Sequence, residues 1–333
     1  MQYRLLGRTG VRVSSLCMGT MSFGGDADQK SASAMYRRCR DAGINFFDTA
    51  NVYAEGRSEK ILGQLMEGHR DEIVVASKVG FPVGQEVNSG GLSRRHILQS
   101  VEASLNRLGT DHLDLLFLHR YDPAVAIEEP LRALDDLVRQ GKVLYTGASN
   151  WAAWQTATAL GIAARLSLAR FECLEPMYNL VKRQAEVEIL PLAEEEQMGV
   201  IAYNPLGGGL LSGKYGVERR PKKGRLVEDE LYAARYGDPA YYQVAGRFAA
   251  YAQEHGHHPV SLAIAWVMSH PAVTAPILGA RDVEQLEPAL GAVEIEISPE
   301  QRAEISELSI EPPPATDRSE SRKGLELRGA RSR

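Results

Sequence analysis

Eight times along the chain, a short run rich in apolar residues gives way to a longer stretch whose apolar side chains recur every three or four positions. The strand candidates are residues 15–18, 45–48, 73–78, 113–118, 143–148, 171–175, 200–203 and 275–278. Strands separated by helical crossovers pair in parallel, and a parallel sheet needs cover on both faces. Closure into a (β/α)8 TIM barrel, an α/β fold, meets that demand, with an open doubly wound sheet as the structural alternative. The segment RRHILQSVEASLNRLG illustrates the helices. Ile97, Val101, Leu105 and Leu108 share one face, Ser93 is positioned to cap the start and Gly109 to stop the end.

Three segments lie outside this alternation. YRLL and VRV flank turn residues 7–10 and predict an N-terminal β-hairpin. After the seventh strand comes a long loop, GKYGVERRPKKGRLVEDELYAARYGDPAYY, of the kind used as a lid or binding loop. Residues 1–312 are expected to form a single barrel domain, and residues 313–333, Pro-rich and then charged, a flexible tail.

Composition narrows the partners. A net charge of −5 gives none of the basic footprint that nucleic acids or anionic membranes attract, which favours a small-molecule role. Cys17, Cys39 and Cys173 are an odd, widely spaced set without a CxxC pair, so a reducing cytoplasm is expected and neither a disulfide framework nor a metal site. The first residues lack the organisation of a signal peptide, and no apolar run of about 18 residues is available to span a bilayer. Monomer and homo-oligomer both remain open.

In a barrel of this class the reactive groups gather where the strands end. Asp48 ends the second strand, Lys78 the third and His119 the fourth, and Tyr53 follows in the loop after Asp48. Singly, these read as a helix cap, a packed phenol, a solvated charge and a packing histidine. Together they suit reduction of a carbonyl, in which negative charge develops on oxygen. Tyr53 would donate the proton, Lys78 would lower the ordinary phenol pKa of about 10, Asp48 would orient the ammonium, and His119 would orient the carbonyl or help move the proton.

With those residues in place, the chain resembles the aldo-keto reductase superfamily, notably its potassium-channel β-subunit-like branch. The likeness runs from the hairpin to about residue 292. It is carried by LCMGTMSFG, GINFFDTANVYAEGRSEKILG, ASKVG, DLLFLHRYDP, GKVLYTGASN, EPMYNLVKRQ, VIAYNPLGGGLLSGKY and PILGARDVEQLE. The resemblance implies a catalytic tetrad of Asp48, Tyr53, Lys78 and His119. It also implies a nicotinamide dinucleotide held without a Rossmann motif, NADP(H) being favoured and NAD(H) the other candidate.

The same resemblance assigns Ser149 and Asn150, with Glu175 and Asp48 nearby, to the nicotinamide, and Tyr203 to stacking on its ring. Asn204, Pro205, Leu206, Gly208 and Lys214 would wrap the pyrophosphate, Gly19 and Thr20 match a first-strand contact, and Arg225 would reach ribose or phosphate. Near the end, Gly279, Arg281 and Gln285 are retained. Three departures stand out. Glu175 replaces a common Gln and cannot donate while ionised. Pro288 and Ala289 replace residues that contact adenine. Asp282, where a hydroxyl often meets a 2′-phosphate, either repels phosphate or caps the next helix.

Two motifs compete. Gly208, Gly213 and Lys214 satisfy GxxxxGK, but Tyr215 follows where a P-loop needs Ser or Thr for magnesium. His255, His257 and His258 cluster beside Pro259, where a helix end explains them better than a metal. Met21, Phe23, Tyr121 and Trp151 are candidate substrate walls. The expected activity is reduction of aldehydes or ketones to alcohols. The alternatives are a cofactor-binding sensor or regulatory protein with little turnover, or an NAD-linked alcohol or sugar dehydrogenase.

Overall fold

The structure, a computed structural model, describes residues 1–217, 219 and 221–317. The hairpin β1 (Tyr3–Leu5) and β2 (Arg12–Ser14) precedes eight strands: β3 (Cys17–Gly19), β4 (Phe46–Asp48), β5 (Val74–Val79), β6 (Leu113–Leu118), β7 (Val143–Ser149), β8 (Phe171–Glu175), β9 (Gly199–Ala202) and β10 (Ala275–Leu278). Strands β3 to β10 pair in parallel in chain order, and β10 returns to β3 to close the barrel. Closure removes every edge that an open sheet would leave, which decides against the doubly wound alternative.

Helices α1 (Gln29–Asp41), α2 (Arg57–Leu65), α3 (Arg94–Leu108), α4 (Glu128–Arg139), α5 (Ala153–Leu166) and α6 (Ile189–Glu195) alternate with strands β3 to β9. In α3 the Ser93 hydroxyl accepts from the His96 amide at 3.3 Å and Gly109 turns left-handed with φ 65°, the ends that the sequence specifies. The long connection after β9 is more ordered than expected. It holds α7 (Arg225–Glu228) and α8 (Glu230–Tyr236) before α9 (Pro239–Glu254) and α10 (Pro259–Met268). Asp229 caps α8 by accepting from Leu231 and Tyr232, and Tyr232 and Tyr236, one turn apart, are both buried. Helices α11 (Val283–Leu290) and α12 (Pro299–Glu307) follow the last strand. Most of the proposed tail, residues 318–333, lies outside the described residues.

Two apolar layers form the core. The outer one packs helices on the barrel; the inner one fills the barrel with Cys17, Phe46, Ala76, Leu115, Phe117, Cys173, Ile201 and Ile277. Leu6 and Val13 from the hairpin belong to the inner layer, and Leu6 lies so close to Gly199 that a Cβ there would sit 2.7 Å from its Cδ1. The hairpin therefore plugs the end at which the strands begin. Burying one such side chain stabilises by about 1.5–3 kcal/mol.

Side chains two apart on a strand face the same way. Asp48 follows Phe46, Lys78 follows Ala76, Glu175 follows Cys173, and His119 continues from Phe117. The polar groups thus form the layer immediately above the inner core, at the open end. Gly147 keeps that stack level, because a Cβ there would lie 2.5 Å from Phe117 Cε1 and 2.6 Å from the Cys173 carbonyl.

Candidate active site

Lys78 is the hub. Its ammonium, on a residue only 1% exposed, donates to both carboxylate oxygens of Asp48 at 2.6 and 2.5 Å and to the Thr49 carbonyl at 3.0 Å. It lies 3.3 Å from the Tyr53 hydroxyl and 3.4 Å from Glu175 Oε1. Tyr53 begins a short 3-10 turn in which Ala54 and Glu55 take left-handed φ values of 47° and 58° before Gly56 at 84°. Non-glycine residues pay roughly 1–2 kcal/mol each for that conformation. The turn brings the phenol back toward the strand end it has just left.

Tyr53 and His119 meet edge to face with ring centroids 6.0 Å apart, and Phe81 also packs edge to face with the imidazole, at 4.5 Å. Burial, aided by the Lys78 and Arg120 charges, depresses the imidazole to about 2. His119 is therefore neutral across the ordinary pH range, and its Nδ1 is buried without a partner among the described residues. It can orient an oxygen as a neutral group but carries no acidic proton of its own. Because the folded imidazole binds protons more weakly than the unfolded one, its contribution to stability is complete above about pH 6.5 and is lost as pH falls. Stability should drop by about 2 kcal/mol between pH 6.5 and 5 from this group. His119→Gln should flatten that stretch of a urea-unfolding series, and an unaltered slope would refute the assignment.

The expectation that Lys78 makes Tyr53 a stronger acid is only partly met. Burial raises the phenol, Lys78 pulls it down, and the carboxylates of Asp48 and Glu175 push it up again, leaving it above its ordinary value. Sequence reasoning counted one carboxylate beside the lysine, and the barrel supplies two.

Beside this cluster, Tyr203 donates to Asn150 Oδ1 at 2.6 Å, while Asn150 Nδ2 reaches the His119 carbonyl at 2.9 Å and Ser149 Oγ at 3.1 Å. Ser149 Oγ in turn bonds the Glu175 carbonyl at 3.1 Å. Four of the residues assigned to the nicotinamide are thereby joined across three strand ends. Thr20 is fully buried, its hydroxyl engaged by the Asp48 carbonyl at 3.0 Å and Ser58 Oγ at 2.8 Å, and Gly19 beneath it is pressed against Ile277.

Farther out, Asn204 is left-handed, its Nδ2 buried and without a partner among the described residues, and Pro205 and Leu206 lead into residues 207–209, three glycines at positive φ. Lys214 lies about one van der Waals contact from where Gly209 would carry a Cβ, at 3.8 Å. Burial and the charges of Arg281 and Arg225 lower the Lys214 ammonium, so three cations share this corner. Gly279 borders open space. Asp282 answers its own question by capping α11, Oδ1 accepting from the Gln285 amide at 2.8 Å, while Gln285 Oε1 accepts from the Arg281 amide at 3.3 Å. Ala289 is turned into the core, and the Pro288 carbonyl accepts from Ser261 Oγ at 2.6 Å.

Other expectations resolve differently. Phe23 is completely buried in the outer layer and is no wall of the mouth, since its ring packs between barrel and helices. Trp151, buried too, packs edge-on to Phe171 and Tyr121, each at 5.3 Å. Met21 is 44% exposed. Tyr215 lies in the core against Tyr242, so the P-loop likeness ends in a buried phenol. His258 Nδ1 caps α10 by accepting from Val260, and His255 stacks on Tyr251. Among the described residues no group of His, Cys, Asp or Glu is arranged to hold a metal ion, and no helix is long and apolar enough to cross a membrane.

Three side chains escaped the sequence reading. Phe81, three residues past Lys78, could have been found by following that strand end one step farther. Trp154, 61% exposed and 6.1 Å from the Tyr121 ring, rims the same mouth. Asp26 bridges the cations, 3.0 Å from Arg281 Nε and 4.0 Å from Arg225, and no local signal pairs it with either.

Comparison with known proteins agrees with this architecture. Residues 15–310 match the model of the aldo/keto reductase family. The uncharacterized oxidoreductase YrpG of Bacillus subtilis is 38% identical, over 90% of this chain and 93% of its own. A probable voltage-gated potassium channel subunit beta of Oryza sativa is 39% identical, over 89% and 92%. A putative aryl-alcohol dehydrogenase of Schizosaccharomyces pombe is 33% identical, over 90% and 93%. A closed eight-stranded barrel, polar groups gathered at its strand ends and a match spanning nearly the whole chain lead to one conclusion: the protein belongs to the aldo/keto reductase family of oxidoreductases.

Proposed function

We propose that this protein reduces aldehydes or ketones to alcohols with a nicotinamide dinucleotide, NADP(H) in preference to NAD(H), and that Tyr53 donates the proton. The observation that carries the reading is the buried Lys78 ammonium, which holds Asp48 on one side and meets the Tyr53 hydroxyl at 3.3 Å on the other. The residues present suit the cofactor: buried polar atoms without partners on Glu175, His119 and Asn204, a run of glycines at positive φ, and three cations. Bound there, the dinucleotide supplies a hydride.

The chain's own groups do the rest. Ser149, Asn150 and Tyr203 would hold the nicotinamide, residues 204–208 and Lys214 the pyrophosphate, and Arg281, Arg225 and Gln285 the adenosine end. Neutral His119 orients the carbonyl oxygen, Tyr53 protonates it, and Lys78 balances the charge left on the phenol. Phe81 and Tyr121 keep water from the mouth.

Arg281 bears on cofactor choice because a guanidinium recognises phosphate through paired, charge-assisted hydrogen bonds. Arg281→Gln should weaken NADPH binding about 10- to 100-fold, the loss of one such contact, with little change for NADH. Fluorescence titration of both cofactors tests this, alongside an aldehyde and ketone panel followed by NADPH absorbance. Binding without turnover of any carbonyl would favour the second reading, a cofactor-binding regulatory protein, which the names of the channel-subunit relatives support.

A further inference from the structure

The tetrad reading leaves open the charge carried by one group assigned to the nicotinamide. Glu175 is 4% exposed, faces the barrel mouth from β8 and shares the Lys78 ammonium with Asp48. The two carboxylates are not equivalent. Asp48 takes both short contacts, whereas Glu175 has a single longer one through Oε1, and its Oε2 is buried without a partner among the described residues. One ammonium neutralises one carboxylate, and a second bare charge in a dry site is expensive.

We infer that Glu175 is carried as a neutral carboxylic acid with its proton on Oε2, and that this proton keeps Tyr53 competent as an acid and offers a donor to a ligand seated over β8. The inference builds on the reductase reading above for its consequence in catalysis, but the protonation itself is a property of the protein alone.

The surroundings agree. The titratable groups facing Glu175 are Lys78, Asp48, Tyr53, Cys17, Cys173 and Tyr203. Burial holds the two thiols and both phenols up in their neutral forms, leaving Lys78 and Asp48 as the charged pair. Burial also pushes the Glu175 carboxyl well up; Lys78 opposes this, and Asp48 reinforces it. Where two buried carboxylates face one ammonium, ionisation of one and retention of the proton by the other is the expected outcome. With the proton in place, Lys78 is countered by Asp48 alone and can stabilise charge on Tyr53. Without it, the site gains a negative charge and the phenol becomes a poorer donor. A neutral carboxyl also has an O–H to give and a carbonyl oxygen to accept with, as an amide has, so it recovers the donor that an ionised glutamate lacks.

The sign of the pH effect follows. A carboxyl raised in the folded state stabilises at low pH, and that contribution is lost as pH rises from the ordinary carboxylate range toward its folded value. Replacing Glu175 by Gln should therefore stabilise increasingly toward alkaline pH.

The test is infrared spectroscopy of the cofactor-free protein in the carboxylic-acid carbonyl region. Wild type should show a protonated-carboxyl band at neutral pH that fades on alkaline titration, and Glu175→Gln should lack it. The alkaline fall in kcat for carbonyl reduction should move to higher pH in the variant, with KM for the carbonyl little changed. An identical band in both proteins, or no titrating band in wild type, overturns the inference; the wild-type titration alone decides if the variant folds poorly. Absence of carbonyl turnover in wild type would overturn the reductase reading instead, and the infrared comparison would still decide the proton on Glu175.

Discussion

Replacing Tyr53 by Phe should lower kcat for carbonyl reduction by about 10²–10⁴-fold, the range that one positioned proton donor contributes, while leaving fold and cofactor affinity nearly intact. The expectation rests on how little else the hydroxyl does. Among the described residues its one hydrogen bond is with Lys78 at 3.3 Å, and the ring keeps its edge-to-face packing on His119 in the variant. A stability change within about 1 kcal/mol is therefore expected from the lost hydrogen bond. Stopped-flow measurement of hydride transfer beside a urea-unfolding curve separates the two effects. A variant that turns over within tenfold of wild type would remove Tyr53 as the donor.

Lys78→Met should be costly in both respects. The methionine fills most of the volume but leaves Asp48 buried without a cation, for which about 3–5 kcal/mol of destabilisation is usual. Asp48 can escape part of that by taking up a proton, since burial already raises its carboxyl and Lys78 is what pulls it down. The penalty should consequently grow with pH: a carboxyl raised in the folded state gives up stability as pH climbs above its unfolded value of about 3.9. Adding Asp48→Asn to Lys78→Met should restore much of the stability without restoring turnover. If the single variant unfolds at the same denaturant concentration as wild type at pH 8, the buried pair is not the hub of the site.

Much of this was legible along the chain. The strand candidates at 113–118, 171–175 and 275–278 coincide with β6, β8 and β10, and the others differ by a residue or two at their ends. The capping signals of α3 were equally readable, because Ser93 and Gly109 act through backbone groups a few residues away. Helices α7 and α8 were missed because each is too short for its periodicity to stand out, and what stabilises α8 is the burial of Tyr232 and Tyr236, a tertiary fact. At the site, collecting the residues that end strands delivered Asp48, Lys78 and His119. Choosing walls by their place in a loop failed for Phe23, which follows the first strand but turns into the outer layer.

The sequence by itself determined the alternation that requires a parallel sheet, the N-terminal hairpin, and the polar residues that end successive strands, since each depends on periodicity or on neighbours close in the chain. The charge balance at the centre was decided only by closure. Asp48 and Glu175 are 127 positions apart in sequence, yet both reach the ammonium of Lys78 because the barrel brings β4, β5 and β8 around one axis. The Asp26 bridge to Arg281 has the same origin. Coulomb interactions and desolvation act through space, so which charge meets which, and which must hold a proton, is settled by the fold.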